Sequence, residues 1–254
     1  MKTRFDYFKT PEAQQDRKAS LKTYVAKMDA LTKAHKEGDV IRFGKDRGLV
    51  TKYGIFRVGH GNTKVFFPTV NFESGLSCSS AEHCALSFQS KRRTKSQAPL
   101  CYAQKLEGAF RETMHAKAYQ AQVCEKIARY ADFGYEQVLA QQIANMVADF
   151  GSKYIRFSEV GDIGPQVAGF ARKVLEEMVS RGLKPYLYTK RPEEEREALA
   201  ATGAVVLVSD VDFVCVKNEQ EAKALGLPIC PGQCGGVGGC YRCPLGKKTA
   251  VIAH

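Results

Sequence analysis

The chain has 254 residues, 44% of them hydrophobic and 26% charged, a composition typical of a soluble globular protein with one large α/β domain or a core domain with small appendages. No apolar run is long enough to cross a membrane and the first residues lack the apolar core of a secretory signal, so we expect a cytoplasmic protein without membrane contact. The net charge of +11 predicts attraction to nucleic acid, although it equally suits a solubilising surface.

The first predicted element is a long surface helix over residues 9–37. Thr10 is its N-cap, Pro11 occupies the first helical position, and Gly38 follows its end. Short apolar segments separated by glycine-containing turns then predict an antiparallel meander that runs into the first core strand. These predicted strands are 40–43, 49–53, 55–58 and 64–67. Residues 1–63 are therefore assigned to an N-terminal appendage of helix and meander.

The remaining chain predicts alternating helices and strands. Predicted helices cover about 102–131, 135–149, 165–181, 192–201 and a short segment capped by Asn218, and predicted strands cover 153–158, 184–188, 204–208 and 213–216. Apolar strands that alternate with helices indicate a parallel sheet with right-handed crossovers. We therefore expect a partial or full β/α barrel over residues 64–229, with an open doubly wound sheet as the alternative, followed by a cysteine-rich tail over 230–254.

Nine cysteines are numerous for a protein of a reducing compartment, where thiols rarely form disulfides. Seven of them fall in two clusters, which favours metal binding over scattered core thiols. Cys124 and Cys215 stand apart in apolar surroundings, and we expect both to be buried as small hydrophobic residues.

The C-terminal cluster consists of Cys230, Cys234, Cys240 and Cys243. Four convergent thiolates suit either a tetrahedral zinc ion or an iron–sulfur cluster. The glycine-rich segment 235–239 lets the backbone wrap closely and point its amides at an anionic centre. The spacing differs from the paired arrangement of common zinc sites, so we favour iron–sulfur and keep zinc as the alternative.

The first cluster consists of Cys78, Cys84 and Cys101, in the connection that follows a strand ending near Phe72. The carboxyl ends of parallel strands are where α/β proteins place their chemistry. Three thiolates leave one coordination position open, as a catalytic metal site requires. His83 is the alternative fourth ligand, and it would make the site closed and structural.

The sequence around these cysteines resembles the phage gene-product-88-like proteins and, more distantly, the radical S-adenosylmethionine (SAM) superfamily. The resemblance covers about residues 64–254 and rests on Cys101-Tyr-Ala opening a helix and on segments 71–72, 156–162, 188–190 and 252–254. It implies a β/α-barrel body in which a 4Fe–4S cluster binds SAM and cleaves it to a carbon radical, with electrons supplied by a reductant such as ferredoxin or flavodoxin. Because the cysteine spacing is much wider than is usual in that superfamily, the loop must fold back on itself. The C-terminal cysteines would then hold an auxiliary cluster.

Polar residues at the predicted strand ends complete the expected site. The resemblance implies a cofactor-binding role for Tyr102, Ser158, Glu159, Asp162 and Asp210, and we expect Glu159, Asp162 and Lys190 to be catalytic. The alternative for the Ser158–Asp162 segment is a simple turn between strand and helix, in which Asp162 accepts hydrogen bonds from the backbone amides of the following helix.

Two functions of different classes follow. One is a radical-SAM-like enzyme that modifies nucleic acid, and the other is a zinc or iron–sulfur protein that binds nucleic acid without chemistry. Electron transfer is a third possible function, and it is less suited to a strand–helix domain of this size. In the first two, phosphates would be contacted by the basic run Lys91, Arg92, Arg93 and Lys95.

Overall fold

The computed structural model describes residues 11–61, 67–75, 78, 101–159, 161–208, 213–216, 218–230 and 249–252. Helix α1 spans Pro11–Ala34 and confirms the predicted N-terminal helix, while its predicted cap Thr10 lies outside the described residues. The antiparallel meander is also confirmed, with strands β1 Val40–Phe43, β2 Asp46–Thr51 and β3 Gly54–Gly59. Within the described residues, no helix is long and apolar enough to cross a membrane.

The first core strand differs from the prediction. Most of the predicted strand 64–67 lies outside the described residues, and the described strand β4 is short and comprises Thr69–Val70. It pairs with β3 in antiparallel fashion and with the next strand in parallel, so it joins the meander to the parallel part of the sheet.

Helices and strands alternate after β4 much as predicted. The elements are α2 Tyr102–Ala109, α3 Arg111–Tyr130, α4 Phe133–Ala148, β5 Tyr154–Phe157, α5 Ala168–Ser180, β6 Lys184–Thr189, α6 Glu193–Ala200 and β7 Val205–Val208. One predicted helix, 102–131, is divided because Phe110 has extended dihedral angles (φ −126°, ψ 103°) that a continuous helix cannot contain.

Strands β1 to β7 form one seven-stranded sheet in which spatial order equals chain order. Strands β4 to β7 are parallel, as predicted for strands joined through helices. Consecutive parallel strands are also found in β/α barrels, but over the described residues this sheet is open and bounded by β1 and β7. The expectation of a full barrel is therefore wrong for this part of the chain, because β1 and β7 do not pair. The doubly wound alternative is not seen there either, since no reversal of strand order occurs.

The last two strands form a second, separate sheet. Strand β8, Phe213–Val216, was predicted as a strand, but it pairs in parallel with the unpredicted strand β9, Thr249–Ile252, instead of extending the main sheet. Between them lies helix α7, Glu219–Ala224, where the backbone amide of Glu221 donates to the Asn218 side chain at 2.9 Å. The predicted Asn218 cap is thus confirmed.

The main hydrophobic core covers both faces of the meander, because it includes neighbouring residues whose side chains point to opposite faces, namely Leu49 and Val50 of β2 and Ile55 and Phe56 of β3. Four aromatic rings pack edge to face or stacked with centroids 5.7–6.3 Å apart, namely Phe56, Phe72, Phe157 and Phe170. A smaller group around Phe67, Tyr186 and Leu207 is separate from this core. Because side chains alternate along a strand, Val70 faces the core while Thr69 faces away from it.

Candidate functional site

The connections that leave β4 and β5 are in direct contact at the carboxyl edge of the parallel strands. Gly161 has φ +84°, and a Cβ atom added there would lie 2.5 Å from the backbone oxygen of Glu73. Only glycine has both the backbone freedom and the lack of a side chain that this approach requires. The sequence pattern placed Glu159 and Asp162 at this edge, and their connection is now seen to pack on the one that leads from β4 to Cys78.

Asp162 joins the ends of β5 and β6. Its carboxylate accepts the backbone N–H of Ile163 at 2.8 Å and that of Lys190 at 2.9 Å, and it also accepts from the Thr189 hydroxyl. Burial raises the pKa of Asp162, while these hydrogen bonds oppose the rise. Asp162 is only 5% exposed, and its oxygens hold two strand ends together. Neither amide belongs to the following helix α5, so the expectation that Asp162 satisfies the amides of that helix is wrong.

Ser158, the residue directly after β5, is strained and buried. It has φ +51°, which is uncommon for a residue with a side chain, and its backbone N–H donates to the Val70 oxygen at 2.8 Å. Its hydroxyl is buried and has no hydrogen-bond partner in the described part of the chain. Strained backbone and unsatisfied buried polar groups both concentrate at functional sites. Ser158 is therefore the predicted ligand-binding residue with the clearest structural support.

The connection after β4 packs on the first turns of helix α2. The backbone N–H of Gly75 donates to Glu107 at 2.8 Å, and the Gln104 side-chain amide donates to the Gly75 oxygen at 3.3 Å. Cys78 lies three residues beyond Gly75, and Cys101 is the N-cap residue of α2. Both cysteines are half-buried, and a helix N-terminus stabilises the negative charge of a thiolate. Two of the three predicted ligands thus lie on adjoining segments.

Buried polar side chains are concentrated at this edge. Besides those already described, the set consists of Asn71, Glu73, Ser74 and Gln104, each at most 9% exposed. Glu107, which is 1% exposed, interacts with Arg17 of α1, whose pKa is lowered by burial and raised by the Glu107 charge. Burying a polar group costs free energy unless the group makes specific interactions, so the concentration of such groups at this edge indicates a preformed polar site.

Glu159 faces a cation that the sequence did not single out. The carboxylate lies 3.9 Å from the ammonium group of Lys117 on α3. Burial lowers the pKa of Lys117, and the charges of Glu159, Glu107 and Asp46 oppose that effect. Lys117 stands between two alanines in an ordinary helical pattern, so no local signal could have found it.

Several predicted site residues lie outside the described residues: Cys84, Cys234, Cys240, Cys243, Asp210, His83, segment 235–239, Lys91, Arg92, Arg93 and Lys95. Tyr102 opens α2, while Cys230 lies beside β9, where its backbone N–H donates to the Ala250 oxygen at 2.8 Å. No group of three potential metal ligands occurs among the described residues, most of the predicted cysteine ligands being elsewhere. Cys124 is buried in the main core as predicted, and burial raises the pKa of its thiol.

Comparisons with protein-family models, with curated proteins and with solved structures find no match for this chain. The resemblance to radical SAM enzymes therefore stays a prediction from the sequence. The structure shows that the connection from β4, which leads to Cys78, packs on Gly161 and on the first turns of α2, which follow Cys101.

Proposed function

We propose that the chain is an iron–sulfur enzyme with radical-SAM-like chemistry, in which Cys78, Cys84 and Cys101 hold a 4Fe–4S cluster at the carboxyl edge of the sheet. The observation that carries the proposal is that Cys78 and Cys101 lie on segments that pack together through Gly75. An anionic thiolate set beside the N-terminus of α2 is electrostatically favourable. The C-terminal cysteines hold a second cluster or, alternatively, zinc.

The chemistry of the edge suits SAM, which carries an ammonium and a sulfonium cation. A 4Fe–4S cluster held by the three cysteines would pass one electron from a ferredoxin or flavodoxin to SAM, and breakage of a carbon–sulfur bond would then give methionine and a carbon radical. The residues of this chain bind and orient SAM: Glu159 accepts from the ammonium group, and Ser158 uses its unpartnered hydroxyl on the ligand. Lys190 follows β6 at the same edge and is the residue proposed to move a proton.

The substrate class proposed is nucleic acid. The net charge of +11 favours a polyanionic partner, and the run 91–95 lies in the same connection as the first three cysteines. Binding through phosphates at this position would bring a base close to the proposed radical site.

The test is a SAM-cleavage assay on protein purified and reconstituted without oxygen. The expected result is brown protein that forms 5′-deoxyadenosine when SAM and a reductant are added. Glu159→Gln is expected to lower kcat/KM for SAM by about 10- to 100-fold through loss of a charged hydrogen bond, whereas Glu176→Gln, at an exposed position of α5, leaves it unchanged.

Colourless protein that contains one or two zinc ions and forms no 5′-deoxyadenosine would reject this function. That outcome would instead support the non-catalytic nucleic-acid-binding alternative, because a structural zinc site has no visible absorption and no open position.

A further inference from the structure

A polar cavity of about 250 Å³ lies between helix α3 and strands β3 and β4. Its walls include Asp46 and Arg57 from the meander, Asn71 after β4, and Glu112, Thr113 and Lys117 from α3. Sites for drug-sized ligands range from about 300 to 1,000 Å³, so this cavity suits a smaller molecule. Its lining of charged side chains favours a charged ligand.

The ammonium group of Lys117 is incompletely satisfied. Its side chain is 18% exposed, and its nearest acidic oxygen, on Glu159, is 3.9 Å away, beyond hydrogen-bonding distance. Among the described residues no hydrogen bond to this ammonium occurs. A partly desolvated cation whose three N–H donors meet no acceptor within hydrogen-bonding distance in the described part of the chain favours an additional acceptor group in the cavity, although the charges of Glu159, Glu107 and Asp46 also act on it.

The other basic wall residue is already engaged. Arg57 donates to Asp46 at 3.0 Å and to the Tyr24 hydroxyl at 3.2 Å. Asp46 also contacts the His60 ring nitrogen at 2.6 Å, so its charge is shared between two partners. These contacts leave Lys117 as the cation that is open to a ligand.

Glu112 provides the complementary charge at the rim of the cavity. It is exposed in the first turn of α3 and makes no hydrogen bond or ion pair within the described ranges. Glu112 and Lys117 are five residues apart on one helix, which separates them by about 7.5 Å along its axis and by about 140° around it. They lie at opposite sides of the helix surface that lines the cavity, so a small molecule between them with an anionic and a cationic group can contact both.

We propose that this cavity binds a small zwitterion of the free amino acid class, with its carboxylate at Lys117 and its ammonium group at Glu112. Thr113 and Asn71 offer a hydroxyl and an amide for the rest of the molecule. The proposal does not require an iron–sulfur cluster, because none of these residues is a cysteine ligand, although Lys117 also faces Glu159, the residue proposed to bind SAM.

The experiment measures thermal unfolding of the full chain with each of the twenty common amino acids added in turn. We expect at least one to raise Tm by about 5 °C or more at saturation. Lys117→Met and Glu112→Gln abolish the shift, whereas the matched substitutions Lys126→Met and Glu125→Gln, at exposed positions of the same helix, retain it. The N-acetyl and the carboxamide derivatives of the active amino acid, each lacking one charge, give no shift.

The inference is overturned if no amino acid shifts Tm, if the shift survives in Glu112→Gln, or if the N-acetyl derivative acts equally. Glu112 is exposed, so its variant folds and decides the matter even if Lys117→Met does not. The iron content of the protein plays no part in these outcomes, so failure here is separate from failure of the proposed enzyme function.

Discussion

Replacing Gly161 by alanine perturbs the contact between the β4 and β5 connections. At φ +84° an alanine costs about 1 kcal/mol relative to glycine. The new Cβ would also lie 2.5 Å from the oxygen and 2.8 Å from the carbonyl carbon of Glu73, so rigid backbone must move. Overpacking of this kind costs about 1–3 kcal/mol. The expected loss in the free energy of unfolding is therefore about 3 kcal/mol.

Substitutions at two other glycines distinguish the backbone strain from the overpacking. Gly182 has φ +74° with no atom within 4 Å of an added Cβ, so Gly182→Ala isolates the backbone strain at about 1 kcal/mol. Gly169 in α5 has open space and no positive φ, so Gly169→Ala is expected to stabilise the helix by about 0.5–1 kcal/mol.

Thermal unfolding followed by circular dichroism compares these three variants with the parent protein. At about 2–4 °C per kcal/mol, Gly161→Ala should lower Tm by about 10 °C and Gly182→Ala by about 3 °C. If Gly161→Ala lowered Tm no further than Gly182→Ala, the direct packing of the two connections would be refuted.

Three further predictions concern the edge and the basic loop. Burial raises the pKa of Asp162, so the contribution of this group to stability is fully present below its unfolded-state pKa of about 4 and is lost as pH rises through its native-state pKa. Asp162→Asn should therefore flatten the dependence of Tm on pH, and an unchanged pH profile would contradict this. Ser158→Gly should raise the free energy of unfolding by about 1 kcal/mol, because strain and an unpartnered hydroxyl are removed, and denaturant unfolding that shows a loss would argue against strain. Alanine substitution of the basic run Lys91, Arg92, Arg93 and Lys95 should lower the slope of log affinity against log salt for a single-stranded oligonucleotide by about 3. An equal loss of charge on α1, at Lys18, Lys22, Lys27 and Lys33, should leave the slope unchanged.

Local patterns were sufficient to predict most of the elements. The predicted strand 153–158 and helix 165–181 correspond to β5 and α5, because apolar periodicity and a terminating glycine are properties of neighbouring residues. The division at Phe110 was not predicted, since the sequence pattern around it remains helical while its backbone is extended.

The pairing of strands that are distant in the sequence could not be predicted from such local patterns. The strand character of β8 follows from its composition, but its partner β9 lies more than thirty residues away and could equally have been β7. In the candidate site, Ser158 and Glu159 were singled out because they directly follow a strand. Lys117 was missed because its contact with Glu159 depends on how α3 packs across the sheet. Chemistry that is supplied by strand ends is thus easier to predict than chemistry that a distant helix contributes.

The most direct test of an iron–sulfur centre at the carboxyl edge is the iron content of protein purified without oxygen. We expect about eight irons per chain, about four in the double variant Cys78→Ala/Cys101→Ala, and about eight in the control Cys124→Ala, whose thiol is buried in the core. If the C-terminal cysteines hold zinc instead, we expect about four irons per chain in the parent protein, none in the double variant and about four in the control. A double variant that keeps the full iron content of the parent, or a parent protein without iron, would contradict the account.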